Sequence, residues 1–371
     1  MPKYKYIVRE ILNNGGLFYA LIPLNGAGGL LIGKALEVVK FKIWAMINGF
    51  NPTKCKLLFN PEDVVEDAFL LVSYIGNFTS YSGIVDSSGL VQYLNRVKGK
   101  IILNMNHYPY HPTIGSKSIK SLRFHYFWAE NNLRKNSCYF RTHFSDFKQP
   151  FIVAAFAVRD KFSNKRAFLD RNLKAIAVGS VSLKMSDDTD FIKYFKHENL
   201  QPIRNELFNG VPEMFKEIVI SHVSHINDGG AVRPVRAAPN LVSSIKNWIH
   251  NVFKYGQRNY HSLNMCELFN NYSIHIVGEE VVGMPGIGFA EGMMCGSVFI
   301  GLDDPMYTDL GMEPNKHYLV YNGNYLSLLQ TVQSSLQNRD MLKAISEAGA
   351  DFACKNFKEK IVFNYFCKQI T

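Results

Sequence analysis

The sequence lacks any close pair of cysteines. Its six (Cys55, Cys138, Cys266, Cys295, Cys354 and Cys367) are scattered, with no C-x-x-C and no close histidine partner. This fits the reduced thiols of a cytoplasmic protein better than a disulfide framework or a structural zinc site. Charge is scarce too, at 19% of residues against 47% hydrophobic, so the chain has ample core-forming material and is not disordered. No basic segment, apolar run and cleavage site of a secretory signal is visible. Residues 11–33 carry no charge and are long enough to span a bilayer, but Asn13-Asn14-Gly15-Gly16 and Asn25-Gly26 interrupt them. In lipid those breaks would be costly. The eight apolar residues 17–24 are therefore read as a buried parallel strand.

What charge there is leans one way. Lys and Arg number 41 against 31 Asp and Glu, a net +10. Residues 1–60 hold Lys3, Lys5, Arg9, Lys34, Lys40, Lys42, Lys54 and Lys56 against only Glu10 and Glu37. Such a surface attracts phosphates, anionic lipid or nucleic acid, or is simply a solvated face. Nucleic acid is disfavoured, because no basic helix or stacking platform with interleaved aromatics is present. The opening "PKYKYIVREIL" is basic and partly amphipathic, which suits weak peripheral contact with an anionic membrane, at its inner face.

A chain of 371 residues suits two domains. Apolar runs at 17–24, 55–59, 68–74, 100–105, 124–129 and 151–158 alternate with helix-compatible stretches such as 30–47 and 88–97. The polar run "RDKFSNKRAFLDRN" (159–172) reads as a linker, and the pattern then restarts. Strands are expected at 174–178, 218–222, 273–277, 297–302 and 317–321, and helices at 191–208, 265–272 and 325–342. The implied class is α/β, with two doubly wound Rossmann-like domains, residues 1–165 and residues 174–345, followed by a helical tail at 346–371. Ligands of such sheets bind beyond the carboxyl ends of the strands.

The most informative stretch is "GMPGIGFAEGMMCGSVFIG", residues 283–301. Gly286 and Gly288 lead into a helix of about two turns that begins at Phe289. Glycines allow close backbone approach and exposed helix amides favour an anion, so a diphosphate fits here. Glu291, in the first turn, is placed to accept hydrogen bonds from ribose hydroxyls. A dinucleotide fingerprint fits less well: its glycines should follow a strand directly and a full crossover helix should come next. A tight turn with Glu291 as a helix-end charge is the plain alternative.

The segment from Glu291 to Ile300 resembles the donor site of glycosyltransferases with the GT-B fold, above all the family-4 group. The family pattern is Glu-Ala-Met-Ala-x-Gly-x-Pro-Val-Ile, and here Glu291, Met293, Gly296 and Ile300 match it. Gly292 and Met294 replace two alanines, Val298 the proline and Phe299 the valine. The resemblance implies a GT-B fold whose domains face a cleft and whose tail helix packs back on the N-terminal domain, with Glu291 on the nucleotide ribose and the preceding amides on the diphosphate. It also implies that Gly179 and Lys184 of "KAIAVGSVSLK" face the donor, that Gly28 and Gly29 of "NGAGG" form an acceptor-side loop, and that His107 of "ILNMNHY" lies in the cleft. The family carries another glutamate eight residues before the second, where this chain has Gly283. Glu279 and Glu280 lie just upstream, and a longer loop would let Glu280 serve. That departure leaves the family and the stereochemical outcome open.

Other candidates rest on position. His107 and Glu130 end predicted strands and suit a base or a hydroxyl contact; Glu130 equally suits a helix cap with Asn131 and Asn132. Arg233 and Arg236, flanking Pro234 in a glycine-rich loop, suit a basic flap over a diphosphate. His222 and His225 have no third ligand nearby, so no metal is expected, and no cofactor beyond the nucleotide-sugar substrate. The function these residues imply is sugar transfer from a nucleotide-sugar donor to a saccharide or lipid-linked acceptor, in surface polysaccharide or lipopolysaccharide synthesis. A nucleotide-sugar epimerase of the same fold and a non-catalytic partner with a decayed site are the alternatives.

Overall fold

The structure is a computed structural model that describes residues 4–21, 31–73, 79–80, 83–84, 88–104, 121–128, 149–152, 156–181, 201–225, 263–280, 285–308 and 310–370. It divides into two compact units, Met1–Glu130 with Cys138–Ala157 and Glu359–Thr371, and Val158–Lys358 with Asn131–Ser137.

In the first unit β1 (Phe18–Leu21) pairs in parallel with β2 (Cys55–Leu58). A four-stranded parallel sheet runs β3-β6-β7-β8, formed by Phe69–Ser73, Lys100–Asn104, Tyr126–Trp128 and Phe151–Ile152; β4 (Thr79–Ser80) and β5 (Gly83–Ile84) make a short antiparallel pair. The helix Leu31–Ile47 follows the first apolar run and stacks Phe41 on Trp44 with ring centroids 5.5 Å apart. It ends where Gly49 takes a φ of 72°, which an L side chain rarely adopts.

The amino-terminal helix Lys5–Asn13 buries Tyr6, Val8 and Leu12, and Tyr6 shares a core with Trp128, Phe363, Phe366 and Ile370. The apolar face of this helix is thus used inside the first unit. Some of the basic excess is also engaged internally. Arg9 pairs with Glu359 at 2.6 Å, and the Lys42 amino group donates to the Cys55 carbonyl at 2.6 Å. Among the described residues no helix is long and apolar enough to cross a membrane.

The second unit holds a five-stranded parallel sheet in the order β10-β9-β11-β12-β13. The strands are β9 (Asn172–Val181), β10 (Val219–His225), β11 (Tyr272–Ile276), β12 (Val298–Leu302) and β13 (Leu319–Tyr321). Central β9 is buried without a break from residue 175 to 179, as a strand covered on both faces must be. Period-two alternation then sorts the residues by face. Ala175, Ala177, Ile274, Ile276, Val298 and Ile300 join an aliphatic core with Leu207, Leu328 and Val332. His275 and Phe299 join a ring cluster with Phe289, Tyr307 and Tyr318.

Two expectations from the sequence need correction. The segment 159–172 is no linker. Phe162 and Arg171 are 1% and 4% exposed, Lys165 N donates to Asn270 Oδ1 at 2.7 Å, and Arg171 donates to the carbonyls of Phe269 and Cys295 at 2.8 and 2.6 Å. Its other charged side chains are exposed, but Arg171 is spent on backbone carbonyls and Phe162 on the core. Residues 325–342 are two helices, Tyr325–Ser335 and Arg339–Asn356, because Asn338 caps the second by accepting from Met341 N at 3.0 Å. The last helix is Glu359–Ile370.

Candidate functional site

In the second unit β9 and β11 are neighbours, and the chain leaves β9 for β10 on one side while β12 and β13 lie on the other. The carboxyl ends of β9 and β11 therefore form the switch point where such sheets bind ligands. Gly179, Ser180 and Val181 end β9, and Val277 to Glu280 follow β11.

Arg204 occupies this junction, and sequence reasoning missed it. It lies on the helix Pro202–Asn209 between core residues Ile203 and Leu207, and its side chain is 5% exposed. Nε donates to the Gly278 carbonyl at 2.7 Å and Nη1 to the Ser180 carbonyl at 3.1 Å. Nη2 lies 3.5 Å from Glu280 Oε1, on a side chain 35% exposed. A cation at a position that should be apolar was the available signal.

The structure also separates the two upstream glutamates. Glu279 turns inward, is 7% exposed and accepts from the Tyr321 hydroxyl at 3.1 Å; burial pushes its carboxyl up. Glu280 faces Arg204 instead. Gly286, which opens the short helix, lies against the same pair. A Cβ there would stand 2.8 Å from Arg204 Nη2 and 3.3 Å from Glu280 Oε1. The structure thus brings Gly179, Glu280 and Gly286 together around Arg204.

The helix itself is Gly288–Met294, and all seven residues are buried. The Phe289 amide donates to the Gly286 carbonyl at 3.1 Å, and its ring packs on Phe299, Tyr307 and Phe357. The Phe289 amide thus closes the turn, and its side chain is core. Glu291 is 8% exposed, and among the described residues it pairs with Arg159, whose Nη2 lies 3.9 Å from Oε1. Burial pushes its carboxyl up to about 7, against the pull of Arg159 and Lys161. Near neutrality Glu291 can thus serve as an ionised acceptor for a vicinal diol or as a neutral acid.

Beneath the helix lies His275, also unforeseen. Its Nε2 is 3.1 Å from the Phe289 carbonyl, so that nitrogen carries the proton, and burial lowers the imidazole to about 3, which keeps it neutral. Gly292 sits directly above, where a Cβ would come within 2.3 Å of Nε2. An alanine here would overlap the imidazole ring.

Lys184, Arg233, Arg236, His107, Glu130, Gly28 and Gly29 lie outside the described residues. His222 and His225 fall on opposite faces of β10. Among the described residues no group of three or more His, Cys, Asp or Glu could hold a metal ion.

No family model matches the chain, and no curated protein matches it. Among solved structures it is similar to a glycosyltransferase from Rickettsia africae, at 11% identity and a TM-score of 0.50, over 99% of this chain and 93% of that one. It is also similar to sucrose-phosphate synthase from Thermosynechococcus elongatus, at 11% identity and a TM-score of 0.47 over 93% and 79% of the two chains. HepE from Anabaena in complex with UDP-glucose gives 10% identity and a TM-score of 0.46, over 74% and 73%. The likeness to the Rickettsia structure is one of fold: two Rossmann-like α/β units with parallel sheets, the architecture of GT-B glycosyltransferases.

Proposed function

We propose that the chain is a glycosyltransferase that moves a sugar from a nucleotide-sugar donor to a saccharide or lipid-linked saccharide acceptor, in surface polysaccharide or lipopolysaccharide synthesis. One observation carries the reading. The segment that resembles the family-4 donor site folds as a buried short helix, entered through Gly286, at the switch point of the second sheet. The Rickettsia structure of like fold is a glycosyltransferase, which supports the same reading.

In this proposal Glu291 holds the ribose diol. The diphosphate meets the backbone ahead of Phe289, at Ile287 and Gly288, with Lys184 and Arg233 or Arg236 neutralising its charge. Glu280 takes the place left by Gly283 and faces the donor sugar, while His107 or Glu130 meets the acceptor. Family-4 membership belongs to the proposal, as do the absence of a metal or further cofactor and a cytoplasmic place with peripheral contact to anionic lipid.

The test is thermal stability against UDP, GDP, ADP, TDP, CMP and their sugars, for the wild type and Glu291→Ala. A saturable rise with one nucleotide, lost in the variant, is expected; ligand at a hundred times its Kd adds about 2.7 kcal/mol. No rise with any nucleotide would overturn the donor site and leave a non-catalytic protein. Conversion of donor without acceptor would point to an epimerase. Equal activity on soluble acceptors, with no binding to anionic vesicles, would remove the lipid-linked acceptor.

A further inference from the structure

Three glycines from three separate segments converge on one arginine. A Cβ on Gly179 would stand 3.3 Å from Arg204 Nε, one on Gly278 3.1 Å from Arg204 Cγ, and one on Gly286 2.8 Å from Arg204 Nη2. Glycines at the ends of strands suggest the approach of a phosphate. Here the space they leave is already filled by the guanidinium.

Burying a guanidinium costs free energy that an apolar side chain would not, and the neighbouring Ile203 shows that this helix packs apolar residues well here. What the cation adds is direction. Nε and Nη1 grip the Gly278 carbonyl just after β11 and the Ser180 carbonyl at the end of β9, the two strands that form the switch point. Nη2 is left facing Glu280, whose side chain is 35% exposed while that of Arg204 is 5% exposed. One member of the pair is fixed in the interior and the other reaches the opening.

We propose that Arg204 is a positioning residue for the donor site: it sets the place of the Glu280 carboxylate, and Glu280 accepts hydrogen bonds from hydroxyls of the donor's sugar. This rests on the reading of the second unit as a nucleotide-sugar site. Arg204 touches no substrate, so its loss acts on the sugar and not on the nucleoside diphosphate.

The experiment compares wild type, Glu280→Asp, Glu280→Gln, Arg204→Lys and the Arg204→Lys/Glu280→Asp double variant. The probes are UDP-glucose, GDP-mannose, ADP-glucose and TDP-glucose, with the matching free diphosphates. Glu280→Asp keeps the charge but draws the carboxylate back by one methylene, and Arg204→Lys keeps the charge but loses the fork. Each is expected to lower kcat/KM for the donor about 100-fold, close to Glu280→Gln, because displacement of about 1 Å has that effect. The Kd of the free diphosphate stays within about threefold, and the double variant is no worse than the singles, since both break one unit. A purely structural Arg204 would weaken diphosphate and sugar-nucleotide alike, or multiply with Glu280→Asp. Either result overturns the proposal, as does wild-type kcat/KM in Glu280→Asp. If Arg204→Lys does not fold, the Glu280→Asp and Glu280→Gln pair decides. A wild type that neither binds nor turns over any of the probes overturns the underlying functional reading as well, a failure distinct from normal binding with an unaffected Glu280→Asp.

Discussion

At Gly292 a single hydrogen separates the Glu291 helix from the His275 imidazole, and a methyl group would overlap that ring. Gly292→Ala should lower stability by about 1–3 kcal/mol, the usual cost of overpacking, and truncating His275 in the same chain should restore part of it. Equal unfolding midpoints for wild type and Gly292→Ala in urea would refute the contact. Glu291 makes a second prediction, in pH. Its folded pKa of about 7 lies above the ordinary value of 4.5, so stability is fullest below about 4.5 and declines as pH rises through 7. Glu291→Gln does not titrate. Its stability relative to wild type should therefore grow by up to about 3 kcal/mol between pH 4.5 and 8. Parallel pH curves would show that the carboxyl is solvated in the folded state. The sequence made Glu291 visible through its neighbours. It hid His275, because a polar residue in "YSIHI" reads as noise until the ring is seen under a helix that starts 13 positions further on.

Strands and short helices were the legible elements. The apolar runs at 55–59 and 297–302 became β2 and β12 to within a few residues, and residues 18–21 of the run at 17–24 form β1, half-buried rather than buried; burial is most complete at β12. Segments held by polar contacts were not legible. Residues 159–172 look like a linker since their charges are read as solvated, whereas Arg171 is 4% exposed and hydrogen-bonds Asn164 and the carbonyls of Arg166, Phe269 and Cys295. Arg171→Met should leave those acceptors unpaired and lower stability by about 2–4 kcal/mol. A change within 0.5 kcal/mol in urea unfolding would return the segment to the status of a tether. The break at Asn338 was missed for a related reason: a cap is a local hydrogen bond, and apolar periodicity runs through it without a gap.

The molecule as a whole closes its first unit with its last helix. Val362, Phe363, Phe366 and Ile370 of Glu359–Ile370 share a core with Tyr6, Ile102, Trp128 and Ile152. Phe366 lies 4.9 Å from the Trp128 ring, and Phe366→Ala should destabilise this unit by about 3–5 kcal/mol. Tryptophan fluorescence followed through urea unfolding measures the loss, and an unmoved transition would show that the helix is not part of that core. The two α/β repeats could be read from alternation alone, but the partners of an end helix could not, since its apolar face fits any groove of similar width. This closure also bears on synthesis. Residues 158–358 leave the ribosome as a complete unit while the earlier-made unit still lacks the helix that seals its core. The portion translated first is thus the portion finished last, and in the interval it depends on whatever shields an open sheet from its neighbours on the polysome.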